Sequence, residues 1–381
     1  MAGPSADGLP VPRYGERSLS DVLPSVLGML GVPGEPRTIA LPEARRVCVL
    51  LVDALGLAPL RRDAGGAPFL ASLLPGLTEL TAGFPATTVT SLTSLGSGLP
   101  PGRHGMTGYE MFLPEIGRPL NGLRWDQAVD PRVLLSAPTA FERAARAGVA
   151  VTRVSPRAFE GKGLTEVGLR GGSYAGADSA GERVAAAAEA LRSGDRSLVY
   201  VYYGDLDLTG HIRGCSSPAW QFELARVDQF AQQLAGVLPD DGLLLVTADH
   251  GMVDVPMDGR IDVAETPILD QGVRLITGEP RATYVHVVDG AREDVASAWR
   301  ETLGRRAWVL TRDQAVAAGW YGDRVADHVL PRIGDLVVAM RDDSAVVDSR
   351  RMRPTLLSLV GMHGSLTDDE LLVPLLVAGP G

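Results

Sequence analysis

Three short runs of aliphatic, β-branched and aromatic residues, Val47 to Val52, Leu198 to Tyr203 and Leu243 to Thr247, carry no charged side chain. A strand with one wet face would alternate in polarity, so these runs predict strands buried on both faces, as in a parallel sheet covered by helices. Helical stretches precede them: Ala137 to Ala147 before the strand-like Val149 to Val154, Glu182 to Arg192 before the second run, and Pro218 to Leu238 before the third. That alternation predicts a doubly wound α/β fold, a mostly parallel sheet with helices on both faces. A last strand is expected from Leu372 to Val377.

The flanks differ. Residues 1–17 predict a flexible arm and a helix follows from about Ser20, with Ser18 or Ser20 as N-cap, so 1–37 form an N-terminal arm and helix. Across 256–332 the pattern changes: strands Tyr284 to Val288 and Trp308 to Thr311 surround a helix from Arg292 to Leu303. This stretch predicts a small inserted α+β cap domain without candidate ligands. The catalytic core is then 38–255 plus 333–381, with Asp335 to Met340 expected to return the chain to it.

Composition narrows the class. The chain has 45% hydrophobic and 22% charged residues, as a globular protein does. Its 36 basic against 46 acidic residues give a net charge of −10, and the basic residues are scattered, which disfavours a nucleic-acid groove. Two cysteines, Cys48 in a strand run and Cys215 in a polar loop, support neither a disulfide framework nor a thiolate metal site. Met1 to Tyr14 lacks an apolar leader and no run is of membrane-spanning length, so a cytoplasmic location without membrane contact is expected.

The chemistry lies where the buried runs stop. The first ends on Asp53, the second on Gly204, Asp205, Leu206 and Asp207, and the third on Ala248, Asp249 and His250. In an open parallel sheet the crevice beyond the carboxyl ends of the strands is where ligands bind, so three acids converge there. Asp207 and His211 are four apart and share a face if helical. Asp249 and His250, being adjacent, can share a metal only on a turn, for which Gly251 supplies freedom. With His363 these make six donors, enough for two divalent cations. All-N,O ligation favours zinc, with manganese or iron as alternatives. Asp205 competes with Asp207, but the spacing to His211 selects Asp207. Of the remaining histidines, His104 is expected to be a structural loop residue, and His286 and His328 have no role. Tyr109, Tyr174 and Trp125 are candidates to line a substrate slot, and Arg281 is expected to form a surface salt bridge or to meet a substrate anion.

These pieces, in order, resemble the alkaline phosphatase superfamily and, within it, the nucleotide pyrophosphatase/phosphodiesterase branch. The resemblance rests on the strand ending in Asp53, F-P-A-T-T from Phe84 to Thr88, D-L-T-G-H from Asp207 to His211, D-H-G-M from Asp249 to Met252 and G-M-H-G from Gly361 to Gly364. It implies one metal on Asp207, His211 and His363 and another on Asp53, Asp249 and His250, with the Thr88 hydroxyl beside the second as nucleophile. Thr87 and Thr90 compete, and the spacing from Phe84 and Pro85 favours Thr88. A helix beginning near Thr88 would aim its free amides at a phosphoryl group. Ser91 is an implied phosphoryl contact, and Val89 stands where relatives often set an aromatic residue against a nucleobase. The implied activity is two-metal hydrolysis of a small phosphate diester or nucleotide pyrophosphate through a phospho-threonine. A phosphomonoesterase or phosphonoacetate-type hydrolase is the alternative, and a catalytically inactive metal-binding protein the second. A sulfatase is disfavoured because neither cysteine lies in a C/S-x-P-x-R context, and a mutase-like role is disfavoured because that branch uses Ser.

Overall fold

The computed structural model describes residues 8–379. Its centre is a seven-stranded sheet made of β1 (Arg46–Val52), β2 (Thr78–Thr81), β3 (Ala150–Ser155), β4 (Ser173–Gly176), β5 (Ser197–Tyr203), β6 (Gly242–Thr247) and a C-terminal strand, Leu372–Ala378. The spatial order is β2, the C-terminal strand, β6, β1, β5, β3, β4. Pairing is parallel from β6 across to β4, and the C-terminal strand runs antiparallel to both its neighbours. Every residue of β6 and all but the first of β1 are buried, which is why these segments show no polar alternation.

Helices cover both faces. Phe141, on the helix Ala140–Arg146, meets Tyr200 edge-on at 5.9 Å, and Phe230, on the helix Pro218–Gly236, meets Tyr203 at 5.4 Å. Tyr200 and Tyr203 differ in parity along β5, so the two helices lie on opposite faces. The Ala180–Leu191 helix begins with a capping box in which Ser179 accepts from Glu182 N and Glu182 reaches back to Ser179 N.

Two expectations change. The stretch read as a flexible arm is anchored between residues 13 and 18: Arg13 N donates to Thr81 Oγ1 at 2.8 Å, Thr81 N donates to Arg17 O at 2.9 Å, and the Tyr14 hydroxyl accepts from Phe84 N and donates to Trp320 O. Residues 1–7 of that arm lie outside the described residues. The run expected to re-enter the core, Leu336–Met340, is instead an inner strand of a four-stranded antiparallel cap sheet. It pairs with β7 (Ala282–Val287) on one side and Ala307–Thr311 on the other, and Val273–Glu279 forms the edge beyond β7. All five of its residues are buried, so on sequence it is indistinguishable from a parallel core strand. The cap has its own apolar cluster, built around Trp299, Leu303, Val285, Val338 and Met340. The expected 332/333 boundary therefore falls inside this sheet.

Candidate functional site

β1 lies between β5 and β6, so the chain leaves three adjacent parallel strands at one edge of the sheet. Asp53 follows β1 directly. Asp249 and His250 sit on the turn after β6, and Asp207 and His211 project from a helix, Asp205–Arg213, that starts two residues after β5. Gly251 earns its place there by close approach: a Cβ on it would lie 1.9 Å from Asp369 O, which no side chain tolerates.

Two groups of three donors result, each with its donor atoms within 4.8 Å of one another: Asp207, His211 and His363, and Asp53, Asp249 and His250. His211 Nε2 is 3.4 Å and His363 Nε2 3.9 Å from Asp207 Oδ1. His250 Nε2 is 3.4 Å from Asp53 Oδ1 and 3.6 Å from Asp249 Oδ2. The His250 and His363 rings stack at 3.6 Å, which brings the groups side by side. Asp205 is exposed and apart from both groups.

The hydrogen bonding fits cation binding. Each histidine spends Nδ1 on a backbone carbonyl: His211 on Gly361 O at 2.8 Å, His250 on Gly251 O at 2.9 Å and His363 on Ala86 O at 3.0 Å. That fixes the proton on Nδ1 and leaves the Nε2 lone pair facing inward. The carboxylates are oriented in the same way. Asp53 Oδ2 accepts from the Tyr202 hydroxyl at 2.5 Å, and Asp249 Oδ1 accepts from Ala54 N and His250 N. The three inward oxygens, Asp53 Oδ1, Asp249 Oδ2 and Asp207 Oδ1, are buried and have no hydrogen-bond partner. Buried unpartnered carboxylate oxygens are costly unless something positive sits against them.

The titration of these groups carries the same message. Burial, then repulsion from Asp249 and Asp207, raises the Asp53 carboxyl well above its usual range. Burial also raises Asp207, opposed by His211 and His250. The His363 imidazole is pushed well down by burial and by the neighbouring histidines. Bound cations would draw both carboxyls back down by supplying the missing charge.

Thr88 is the first residue of the helix Thr88–Ser97 and the one partly exposed residue between Thr81 and Leu95. Its Oγ1 lies 3.3 Å from His250 Nε2. Thr87, the N-cap, is buried, and Thr90 Oγ1 and Ser91 Oγ are buried without hydrogen-bond partners. The segment before the helix is tied to the His363 loop: Ala86 O receives His363 Nδ1–H, and Ala86 N donates to Gly364 O at 2.9 Å.

The candidate substrate contacts separate. Tyr109 borders the site, since its backbone amide lies by Glu279 next to His363. Tyr174 sits on β4, the far edge strand, with its hydroxyl donating to Pro156 O at 2.6 Å and the Arg153 guanidinium 5.4 Å from its ring. The structure therefore does not bring Tyr174 to the donors. The Trp125 indole donates to Val129 O and packs against Gly163. His104 is buried, accepting from Met106 N at Nδ1 and contacting Ser94 Oγ with Nε2. Arg281 is neither a surface residue nor a free anion contact: it is fully buried and paired with Glu370.

One residue here has no signal in the sequence. Glu279, at the end of a cap strand, reaches the core so that Oε2 lies 4.0 Å from His363 Nδ1, while Oε1 is buried without a partner. Burial raises its carboxyl to about 8, partly offset by the Thr87 hydroxyl and the Tyr109 amide. Only the pairing of two cap strands brings it to His363, 84 residues away in the chain, and no local pattern encodes that.

Fold and site together define a hydrolase of the alkaline-phosphatase-like class. The profile of the type I phosphodiesterase/nucleotide pyrophosphatase family matches residues 47–366, and the chain belongs to that family. No curated protein sequence aligns significantly with it. Among solved structures it is similar to murine ectonucleotide pyrophosphatase/phosphodiesterase 5, an inactive variant in complex with AMP, with 18% identity, TM-score 0.72 and 88% of each chain covered. The human protein of that name gives 18% identity, TM-score 0.70 and the same coverage. Phosphonoacetate hydrolase from Sinorhizobium meliloti 1021, in complex with phosphonoformate, gives 20% identity and TM-score 0.66, covering 88% of this chain and 90% of that one. No described helix is long and apolar enough to cross a membrane.

Proposed function

We propose that the chain hydrolyses small phosphate diesters or nucleotide pyrophosphates with Thr88 as nucleophile and two divalent cations, one held by Asp207, His211 and His363 and the other by Asp53, Asp249 and His250. The observation that carries this reading is the set of three buried, unpartnered carboxylate oxygens facing three inward Nε2 atoms around one accessible hydroxyl. The donor set, imidazole and carboxylate without thiolate, suits zinc, with manganese or iron as alternatives. When bound, such cations lower the pKa of a coordinated hydroxyl and offset charge on phosphoryl oxygens.

The residues of the chain do the rest. Thr88 Oγ1 attacks phosphorus in line, releasing its proton to solvent, and the bond from phosphorus to the leaving oxygen breaks as the Oγ1–P bond forms. The first-turn amides of the Thr88–Ser97 helix, which have no partner within the helix, face the phosphoryl group and stabilise its negative charge. Water then cleaves the phospho-threonine from the side of Asp207 and His211, and Thr88 regains its proton. Val89 is buried against Gly122 and the cluster of Met106, Met111 and Leu120, so it provides no stacking surface for a nucleobase. The reading is thus of phosphoryl chemistry with the nucleobase unspecified.

The test joins metal content, measured by elemental mass spectrometry, to hydrolysis of bis-p-nitrophenyl phosphate, p-nitrophenyl phosphate and phosphonoacetate. About two equivalents of metal with diester preference support the reading. Preference for the monoester or the phosphonate replaces it with the corresponding alternative. Undiminished diester hydrolysis by Thr88→Ala removes the nucleophile assignment.

A further inference from the structure

The cap meets the core through a short hairpin turn, Glu279–Pro280–Arg281–Ala282, between its edge strand and β7. At that tip Arg281 and Glu370 form an ion pair in which both side chains have 0% exposure. Arg281 Nε donates to Glu370 Oε1 at 2.7 Å and Nη2 to Oε2 at 2.6 Å, a bidentate pair, while Nη1 donates to Ser344 O at 2.6 Å. Taking two charges out of water costs several kcal/mol per ion, and an apolar pair of similar shape is often as stable or more so. Stability alone is therefore a weak reason for this pair to exist.

What Glu370 holds supplies a better one. Its Oε1 also accepts from Ser365 N at 2.9 Å, two residues beyond His363, and Oε2 accepts from the Thr367 hydroxyl at 2.5 Å. Its backbone carbonyl accepts from Gly251 N at 2.8 Å, the residue after His250. One residue thus grips both ligand-bearing loops, one by its side chain and one by its main chain, and Arg281 fixes the orientation of that side chain. The His363 loop in turn holds Ala86, two residues before Thr88.

We infer that Arg281 and Glu370 are positioning residues that hold the His250 turn and the His363 loop at one spacing, so that the cap hairpin sets the geometry of both metal half-sites. The inference rests on the two-metal reading above. It assigns the cap a fixed buttressing role at its hairpin tip, where Arg281 and Glu370 touch neither substrate nor metal.

The test separates positioning from folding. Metal-stripped wild type and the double variant Arg281→Met, Glu370→Leu are compared by thermal unfolding, and zinc is then titrated into each against a chromophoric chelator. The double variant also leaves the Ser344 carbonyl, Ser365 N and the Thr367 hydroxyl without these partners, so it is expected to stay folded at room temperature with a lowered unfolding temperature, and to bind zinc roughly 10- to 100-fold more weakly at both half-sites. Arg281→Lys keeps the charge but cannot span both carboxylate oxygens and the Ser344 carbonyl, so its zinc affinity is expected to fall between the two. A folded double variant that binds zinc as wild type does overturns the inference while leaving the two-metal reading intact. Should the double variant not fold, Arg281→Lys decides: weakened binding supports positioning and unchanged binding overturns it. A wild type that takes up none of zinc, manganese and iron overturns the two-metal reading and this inference with it.

Discussion

The two donor groups are built from the same residue types and differ in where they stand. In one, the side chains of Asp53, Asp249 and His250 are 3%, 0% and 0% exposed, and the carboxylates come from turns that directly follow adjacent sheet strands. In the other, Asp207, His211 and His363 are 18%, 22% and 9% exposed, and their supports are a nine-residue helix and a loop. Interactions count for more where water is excluded. In the two-cation reading proposed above, the buried group thus suits a cation that stays and activates Thr88, and the open group one past which water and leaving group pass. In that reading, carboxylate and imidazole ligands acquire different duties from the rigidity and wetness of what carries them, as well as from their ratio of two Asp to one His in one group and one Asp to two His in the other.

The largest effect that would break this contrast is on turnover. Asp249→Asn in the buried group and His211→Ala in the open group are each expected to lower diester kcat/KM by roughly three orders of magnitude, because residues acting as a unit fail together. They should part in single-turnover experiments. Asp249→Asn is expected to prevent formation of phospho-threonine, whereas His211→Ala permits it and slows its hydrolysis, so that phosphoprotein accumulates. Equal accumulation in both variants would erase the division of labour.

Chelation gives the next largest effect. Treatment of metal-loaded protein with a chelator is expected to remove one equivalent at least about tenfold faster than the second, since ligands with a mobile, wet outer shell release metal more readily. Elemental analysis after brief treatment should find one equivalent in wild type and none in Asp249→Asn. Simultaneous release of both would make the two sites one cooperative unit. Smaller still is Tyr202→Phe, which removes the 2.5 Å hydrogen bond to Asp53 Oδ2 and nothing from the open group. An affinity loss of about tenfold confined to the slower-released metal is the expected outcome of calorimetric titration.

The same contrast marks what could be read along the chain. The buried group was largely legible: Asp53, Asp249 and His250 follow uninterrupted apolar runs, and a parallel sheet sends the ends of such strands to one crevice. The open group was half legible, through the spacing of Asp207 and His211 on a helix. His363 follows only a two-residue strand, Gly361–Met362, and was found through resemblance to G-M-H-G, since its place depends on a hydrogen bond to Ala86, 277 residues away. Glu279 and the Arg281–Glu370 pair were not legible, because strand pairing in the cap brings them to the core. Leu336–Met340 was misplaced for a related reason: five buried residues look alike in a parallel core and in the middle of an antiparallel cap. Tyr174, a candidate to line a substrate slot, lies at the far edge of the sheet because strand pairing puts it there.

The smallest effect concerns the metal-free protein, and it has a definite sign. Both Asp53 and Asp207 have folded-state pKa values raised above the ordinary 3.8, so each contributes stability below that value that is lost as pH rises through its folded pKa. At neutral pH the stripped protein therefore carries unfavourable carboxylates that metal would compensate. Asp53→Asn, which removes one such charge at little cost in volume, is expected to raise the unfolding temperature of stripped protein at pH 7 by about 1–3 °C. Its gain should fade toward pH 4, where the native carboxyl is neutral. Asp207→Asn should gain less, because His211 and His250 already pull Asp207 down, whereas Asp53 has two further carboxylates pushing it up. With metal present the order of stabilities reverses, wild type above Asp53→Asn, since the substitution removes a donor from the buried group. Thermal unfolding of both variants and wild type, stripped and loaded, from pH 4 to 8 checks this. Equal gains for the two asparagines would show that both groups feel the same field despite their different exposure.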